Sequence, residues 1–344
     1  MRSKVICLRP KHDFDRVEIK IPESFHIQFF PQYDEEEVAQ ASVDADFILA
    51  PSPFPPITAK IISRAKSLKL IQLTGSGYDT VDLEAADKAG VPVAYCPGKN
   101  SKAVAELALI TMSMLNRGIL ESDIEIKRGN YQEVREKLQE EGMYELEDLN
   151  LGLLGVGWIG KEMAKIGAFF GAKLYYYDIL PLTPDQEKEL KLTFVDFKEL
   201  LRISDILSLH LPINKNTQKL IGREEFALMK PTAILINTSR GGILDDEALI
   251  DALKSNRLRG AALDAFDPEP LPPGHPLLSL DPELQKRLIF TPHIGGATRQ
   301  SFHRMFQEAI NNILRVMRGE NPKYVVNLKK LNKKGLPLLH FVIL

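Results

Sequence analysis

Four short segments carry residue types that could do chemistry together. The first, Gly155-Val156-Gly157-Trp158-Ile159-Gly160, lies between the apolar run Leu151 to Leu154 and a helical pattern over Lys161 to Phe170, and Asp178 closes the next run, Leu174-Tyr175-Tyr176-Tyr177. A lone GxGxxG is weak. Glycines set between a strand pattern and a helix pattern, with an acidic residue ending the following strand, are the context of a dinucleotide-binding loop. Gly155 permits the tight turn, Gly157 lets a pyrophosphate approach the backbone and the helix N-terminus, and Gly160 lets that helix close on the sheet. Asp178 can accept from the adenine-ribose hydroxyls but repels a 2′-phosphate, and the following Ile179 brings no guanidinium to offset this. The expected cofactor is therefore NAD, not NADP.

The other three segments supply Arg240, Glu269 and His293. Asn237-Thr238-Ser239-Arg240-Gly241-Gly242, Asp264-Ala265-Phe266-Asp267-Pro268-Glu269-Pro270 and Thr291-Pro292-His293-Ile294-Gly295-Gly296 each end or follow an apolar strand-like run, so they can converge on one cleft. Singly each is ordinary, since an Arg after a strand is usually a solvated cation and a lone His usually a hydrogen-bonded structural residue. Elsewhere, His210 reads as the wall of a cofactor pocket, His275 as a surface-loop residue and the tyrosine run as core packing. No cluster has metal-ligand spacing.

The elements that must position these segments are short. In the first hundred residues Val5 to Leu8, Phe47 to Ala50, Leu70 to Leu73 and Val91 to Ala94 read as strands, and Ile57 to Ala65 and Leu83 to Ala89 as helices. Gly75-Ser76-Gly77 ends the third of those strands, where ligands of open parallel sheets bind. Asn100 to Ser122 reads as one long buried helix, followed by a charged arm from Lys127 to Asp148 read as a surface loop. From Leu149 six strands are expected: Leu151 to Leu154, Leu174 to Tyr177, Ile206 to Leu211, Ala233 to Asn237, Gly260 to Leu263 and Leu288 to Thr291. That number suits a doubly wound sheet. A final helix, Ala297 to Arg318, precedes an extended segment, Lys323 to Asn327, long enough to return to the first domain.

With these motifs in order, the chain resembles the D-isomer-specific 2-hydroxyacid dehydrogenase family over nearly its whole length. The resemblance is carried by GVGWIG with Asp178, by NTSRGG, ALDAFDPEP and TPHIGGAT, and by TGSGYDTVD and LHLP. It is nearest the phosphoglycerate dehydrogenase and hydroxypyruvate/glyoxylate reductase branch. The resemblance implies an α/β fold in which a Rossmann doubly wound parallel sheet, residues 100–296, is inserted into a smaller flavodoxin-like α/β substrate domain of residues 1–99 and 297–330, with 331–344 as a tail. It implies Arg240 as the substrate-binding arginine, His293 as the catalytic histidine and Glu269 as its paired carboxylate. Asp264 would hold the nicotinamide carboxamide, and Leu211, Pro212, Thr238, Gly295 and Gly296 would line the cofactor beside Trp158 and Ile159. Gly75, Ser76 and Gly77 would grip the substrate carboxylate through backbone N–H groups, and the helix after Asn100 with the arm behind it would form a homodimer.

The implied reaction explains the residue types. Hydride transfer to a 2-keto acid leaves charge on the carbonyl oxygen, which must receive a proton, and His293 can give it. Glu269 at hydrogen-bond distance would favour the imidazolium. Arg240 offers a planar fork to the substrate carboxylate and a spare donor to the keto oxygen, which a lysine could not do. The formate dehydrogenase branch carries glutamine where Glu269 stands, and phosphite dehydrogenase a lysine where Ser76 stands. The alternative from another class is an NAD-sensing corepressor of the same fold without significant turnover.

Composition narrows the partners. The 344 residues suit two domains, and a net charge of -2 gives no electrostatic footprint for nucleic acid or an anionic membrane. Cys7 and Cys96 form no CxxC pair and the N-terminus lacks a signal-peptide core, so a cytoplasmic location is expected. Phosphoglycerate dehydrogenases usually carry basic residues near the positions of Ser52 and Leu73; this chain has neither, although Lys99 and Lys102 could lend charge. The expected substrate is a D-2-hydroxy acid or 2-keto acid, with 3-phosphoglycerate left open. The tail after Leu328 is read as an irregular terminus.

Overall fold

Runs of leucine, isoleucine and valine become the strands of two sheets in which every pairing is parallel. The computed structural model describes residues 2–52 and 55–327. Its chain divides into two units, one made of residues up to Asn100 with those from Ala297 on, the other of Ser101–Gly296.

The smaller unit contains β1 (Ser3–Cys7), β2 (Phe25–Phe29), β3 (Phe47–Ala50), β4 (Leu70–Leu73) and β5 (Val93–Ala94), in the order β2-β1-β3-β4-β5. Every residue of β3 and β4 is buried, as expected of parallel strands covered on both faces. Ile6, Ile48 and Ile71 face Ile61 and Ile62 of the helix Ala59–Arg64, while Val5, Leu49 and Leu70 face Phe306 and Ile310 of the helix Arg299–Met317. Each such buried side chain contributes roughly 1.5–3 kcal/mol. After that last helix the chain returns to the sheet: Tyr95 N donates to Tyr324 O at 3.2 Å and Val326 N to Val93 O at 2.9 Å. The Asn327 side chain bonds both Val93 N and Val91 O at 3.0 Å.

The larger unit contains β6 (Asn150–Leu154), β7 (Lys173–Tyr177), β8 (Leu192–Phe194), β9 (Ile206–Leu209), β10 (Ile234–Asn237), β11 (Gly260–Leu263) and β12 (Leu288–Phe290), ordered β12-β11-β10-β9-β6-β7-β8. The order reverses between β6 and β9. This is the topological switch point of a doubly wound sheet, where ligands bind beyond the strand ends. Tyr176 is fully buried, donating to Glu187 Oε1 at 2.7 Å, so the tyrosine run does pack into the core.

Several expectations need correction. The larger sheet has seven strands rather than six, and the smaller has β2 in addition, so Gly75-Ser76-Gly77 follows its fourth strand. Both missed strands lie at sheet edges and bury few residues. The single helix expected over Asn100 to Ser122 is two, Ser101–Asn116 and Ile119–Lys127, bent by 60°. The bend lies at Gly118, whose left-handed φ of 59° suits glycine and whose missing side chain leaves room for Leu138. The arm is not a loop: Tyr131–Glu141 is helical. The tail beyond Asn327 lies outside the described residues. Among those residues no single helix is long and apolar enough to cross a membrane.

Candidate functional site

The glycine loop leaves β6 and enters the helix Trp158–Phe169 at the switch point. Gly155 has φ 94°, and a side chain there would meet His210 O at 2.7 Å and the Leu211 side chain at 2.9 Å. Gly160 packs so closely on Gly155 O that a methyl would overlap it. Gly157 is different, with no heavy atom within 4 Å of the place a Cβ would take. Around that open space the N–H groups of Gly157, Trp158, Ile159 and Gly160 donate to no acceptor among the described residues. Free N–H groups at a helix N-terminus and a space that a methyl would fill are what a dinucleotide pyrophosphate requires. Trp158, half exposed, directly follows Gly157 as the first residue of the helix.

Asp178 follows β7 and is already engaged with the loop. Its Oδ2 accepts from Val156 N at 2.9 Å and its Oδ1 from Leu180 N at 3.1 Å, which fixes the carboxylate. Ile179 beside it is 83% exposed and brings no cation. On the other side of the switch point, His210 follows β9 with Nε2 3.0 Å from Ser208 Oγ. Its Nδ1 is buried without a partner among the described residues, and burial pushes its pKa down to about 3. The ring is thus neutral and walls the loop from below; Leu211 and Pro212 follow it, half-buried and exposed.

β10, β11 and β12 are neighbours, so the segments leaving their C-terminal ends lie side by side. Asn237 Oδ1 accepts from both the N–H and the hydroxyl of Ser239, and its Nδ2 donates to Arg240 O at 2.8 Å, which shapes the turn that carries Arg240. Arg240 Nη1 donates to Ser239 O at 2.8 Å. Gly241 packs against the backbone of Phe266 so tightly that a side chain would overlap it, which joins this turn to the loop bearing Glu269. Thr238 is buried and its hydroxyl has no partner among the described residues, an orphaned donor beside the expected cofactor position.

His293 and Glu269 meet. Nδ1 lies 2.7 Å from Oε1, both side chains about a quarter exposed. His293 itself has a left-handed φ of 53°, unusual outside glycine. The turn that imposes it is held by Asp264: one oxygen accepts from Thr291 Oγ1 at 2.6 Å and Ile294 N at 2.8 Å, the other from Gly295 N at 2.8 Å. Gly295 is buried with no room for a side chain next to Asp264, and Gly296 follows it half-buried. Sequence reasoning assigned Asp264 to the cofactor alone and overlooked Thr291; the structure gives Asp264 the further task of clamping the histidine turn. The only signal was the shared order of ALDAF and TPH after adjacent strands.

His275 is not a surface residue as expected. Its side chain is 12% exposed, with Nε2 3.5 Å from Asp246 Oδ2 and Nδ1 accepting from Leu277 N at 3.4 Å. Desolvation raises the Asp246 carboxyl to about 6.

In the smaller unit, Gly75 and Gly77 are buried and Ser76 half-buried, just beyond β4. Ser76 Oγ bonds Asn100 Oδ1 at 2.7 Å and Cys96 O at 3.1 Å, and Gly75 O accepts from Cys96 N at 2.9 Å. The three successive N–H groups of Gly75, Ser76 and Gly77 donate to no acceptor among the described residues, and runs of free N–H groups are the kind of donor that anions take. Among the described residues no group of acidic, histidine or cysteine side chains is arranged to hold a metal ion.

Comparison with known proteins matches this architecture. Residues 109–295 fit the family described as D-isomer specific 2-hydroxyacid dehydrogenase, NAD binding domain. A glyoxylate reductase of Thermofilum pendens is 38% identical over 280 residues, 81% of this chain and 81% of that protein. A D-3-phosphoglycerate dehydrogenase of Methanocaldococcus jannaschii is 35% identical over 335 residues, 97% of this chain but 61% of that protein. Among solved structures, the apo form of Rhodotorula graminis D-mandelate dehydrogenase aligns with a TM-score of 0.84 at 29% identity, covering 95% of this chain and 98% of the other.

Proposed function

Given that the chain belongs to the D-isomer-specific 2-hydroxyacid dehydrogenase family and is an NAD-dependent oxidoreductase, we propose that it interconverts a small D-2-hydroxy acid and its 2-keto acid, with His293 as general acid–base, Glu269 as its partner and Arg240 as the carboxylate-binding residue. The observation that carries this reading is the His293 to Glu269 contact of 2.7 Å on a turn clamped by Asp264. The N–H groups of Gly157 to Gly160 and Asp178, with Thr238, Leu211, Pro212, Gly295 and Gly296 alongside, would hold NAD, whose nicotinamide would supply or accept the hydride. In reduction the imidazolium of His293 donates its Nε2 proton to the developing alkoxide, and Glu269 keeps Nδ1–H oriented throughout. In oxidation the neutral imidazole takes that proton back. Arg240 holds the carboxylate through its fork and turns a spare N–H to the keto oxygen. Gly75, Ser76 and Gly77, in the smaller unit, are the substrate-binding loop, offering free N–H donors suited to a carboxylate.

The residues 100–296 then serve NAD, and residues 1–99 with 297–330 serve the substrate. A small keto acid such as glyoxylate is favoured over a phosphorylated one. Leu73 is fully buried and apolar, and Lys99 Nζ is held by Glu308 at 2.8 Å, so neither offers a cation to a phosphate. The relatives are named for catalysis, which favours turnover over a corepressor role. Exposed Ile110, Ile119, Ile126 and Tyr131 on the helices after Ser101 support a homodimer formed there. Two buried, free cysteines, Cys7 pushed up to about 12 by desolvation, support a reducing, cytoplasmic setting. The test is a panel of glyoxylate, hydroxypyruvate, pyruvate and 3-phosphohydroxypyruvate with NADH. Turnover of at least one of the first three is expected, and no turnover of any refutes the assignment.

A further inference from the structure

We propose that Arg9 is a positioning residue for the Gly75–Gly77 loop and, through it, sets the affinity of the enzyme for the carboxylate of its keto-acid substrate; this rests on the reading of that loop as a substrate anchor. Arg9 follows β1 at the place where the order of the smaller sheet reverses, between β1 and β3. Its side chain is 12% exposed, and the guanidinium lies over the rings of Phe302 and Phe306, 5.4 and 5.0 Å from their centroids. A cation withdrawn from water is costly unless paired. Nη1 is paired with Asp13 Oδ2 at 3.0 Å, four residues on, and Nε–H donates to Thr74 Oγ1 at 2.7 Å.

That second bond reaches the loop. Thr74 is buried and directly precedes Gly75. Its hydroxyl donates to Ala50 O at 3.1 Å, and its N–H reaches the same oxygen at 2.8 Å. With the proton committed to Ala50 and a lone pair to Arg9, the Thr74 side chain has one orientation. Downstream, the loop is held by Ser76 on Asn100 and Cys96; upstream, by Thr74. The direction of the three free N–H groups therefore depends on a bond that Arg9 supplies from 65 residues away. Displacing binding donors by about 1 Å can cost about a hundredfold in rate. The guanidinium is needed because one planar group must bond Thr74 and Asp13 while its face covers two rings, and an ammonium cannot do all three.

The experiment measures KM and kcat for the best keto acid of the panel, the NADH dissociation constant and the thermal midpoint in full-length Arg9→Lys, Thr74→Val, the double variant, Thr74→Ser and Gly75→Ala. Thr74→Val deletes the bond at nearly constant volume, so the test survives if Arg9→Lys fails to fold. Arg9→Lys and Thr74→Val are each expected to raise KM about tenfold with NADH affinity unchanged, Thr74→Ser to stay near wild type, and the double variant to be no worse than the worse single one. A wild-type KM in folded Thr74→Val, fully additive losses, or an equal loss of NADH affinity overturns the role of Arg9. Gly75→Ala separates the two readings, because its methyl would come 2.8 Å from Ser52 Cβ and shift the loop itself. An unchanged KM there overturns the loop as substrate anchor; a raised KM there with unchanged KM in Arg9→Lys and Thr74→Val overturns only the proposal for Arg9.

Discussion

Gly157 and Gly160 belong to one motif, yet alanine at the two positions should give opposite phenotypes. At Gly157 the new methyl meets nothing within 4 Å, and the backbone, φ -66° and ψ -154°, lies just outside the extended region that alanine favours. The unfolded-state entropy that alanine removes, about 0.4–1 kcal/mol, offsets the small strain of that backbone, so the thermal midpoint should stay within about 4 °C of wild type. The same methyl fills the space the pyrophosphate needs. Pushing the anion off the helix N-terminus forfeits about 0.3–1 kcal/mol of helix-end attraction, and one lost hydrogen bond to a charged group about 1.5–3 kcal/mol. Together these amount to about 2–4 kcal/mol, a factor of about 30 to 1,000 in NADH affinity. Gly160→Ala instead forces its methyl against Gly155 O, and overpacking of this kind costs typically about 1–3 kcal/mol of stability. Calorimetric titration with NADH beside thermal melts of both variants checks this. Wild-type NADH affinity in Gly157→Ala, or a stability loss there equal to that in Gly160→Ala, refutes the placement of the cofactor over the loop.

His293→Ala should cut turnover by about 10²-fold to 10⁴-fold while NADH still binds, and near-normal turnover would require another proton donor. Glu269→Gln removes the negative charge 2.7 Å from Nδ1 and should lower kcat with NADH affinity unchanged, and an unchanged kcat would deny the pairing. His210, pushed down to about 3 by burial, stays neutral in the folded state while the unfolded chain takes up a proton near pH 6.5. Its contribution is therefore complete above pH 6.5 and declines as pH falls toward 3, by about 2 kcal/mol between pH 7.5 and 5. His210→Asn should lack that part of the acid sensitivity in denaturant titrations, and an identical pH dependence would count against the buried neutral ring. Trp158 is the single tryptophan and the first residue of the helix after the glycine loop; NADH should quench its emission and excite nicotinamide fluorescence, with unchanged emission at saturation placing the dinucleotide elsewhere.

What the chain determined locally was legible before folding. The glycine loop, its helix and Asp178 lie within twenty-four consecutive residues, and turn, helix N-terminus and strand end follow from neighbouring residues alone. β3, β4, β9 and β10 were equally plain because strands covered on both faces are continuous apolar runs. β2 and β8 escaped notice because an edge strand buries little: β8 buries one residue of three. Nor does helical periodicity announce a break such as the one at Gly118, which is decided by Leu138 packing from another helix. The site divides the same way. Arg240, Glu269 and His293 stood out by type and order, but which groups hold them did not. Asp264 meets Thr291 across 27 residues and Arg9 meets Thr74 across 65. Such bonds join loops that leave different strands, and only the strand order brings their buried donors and acceptors within reach, because each had to find a partner once water was gone.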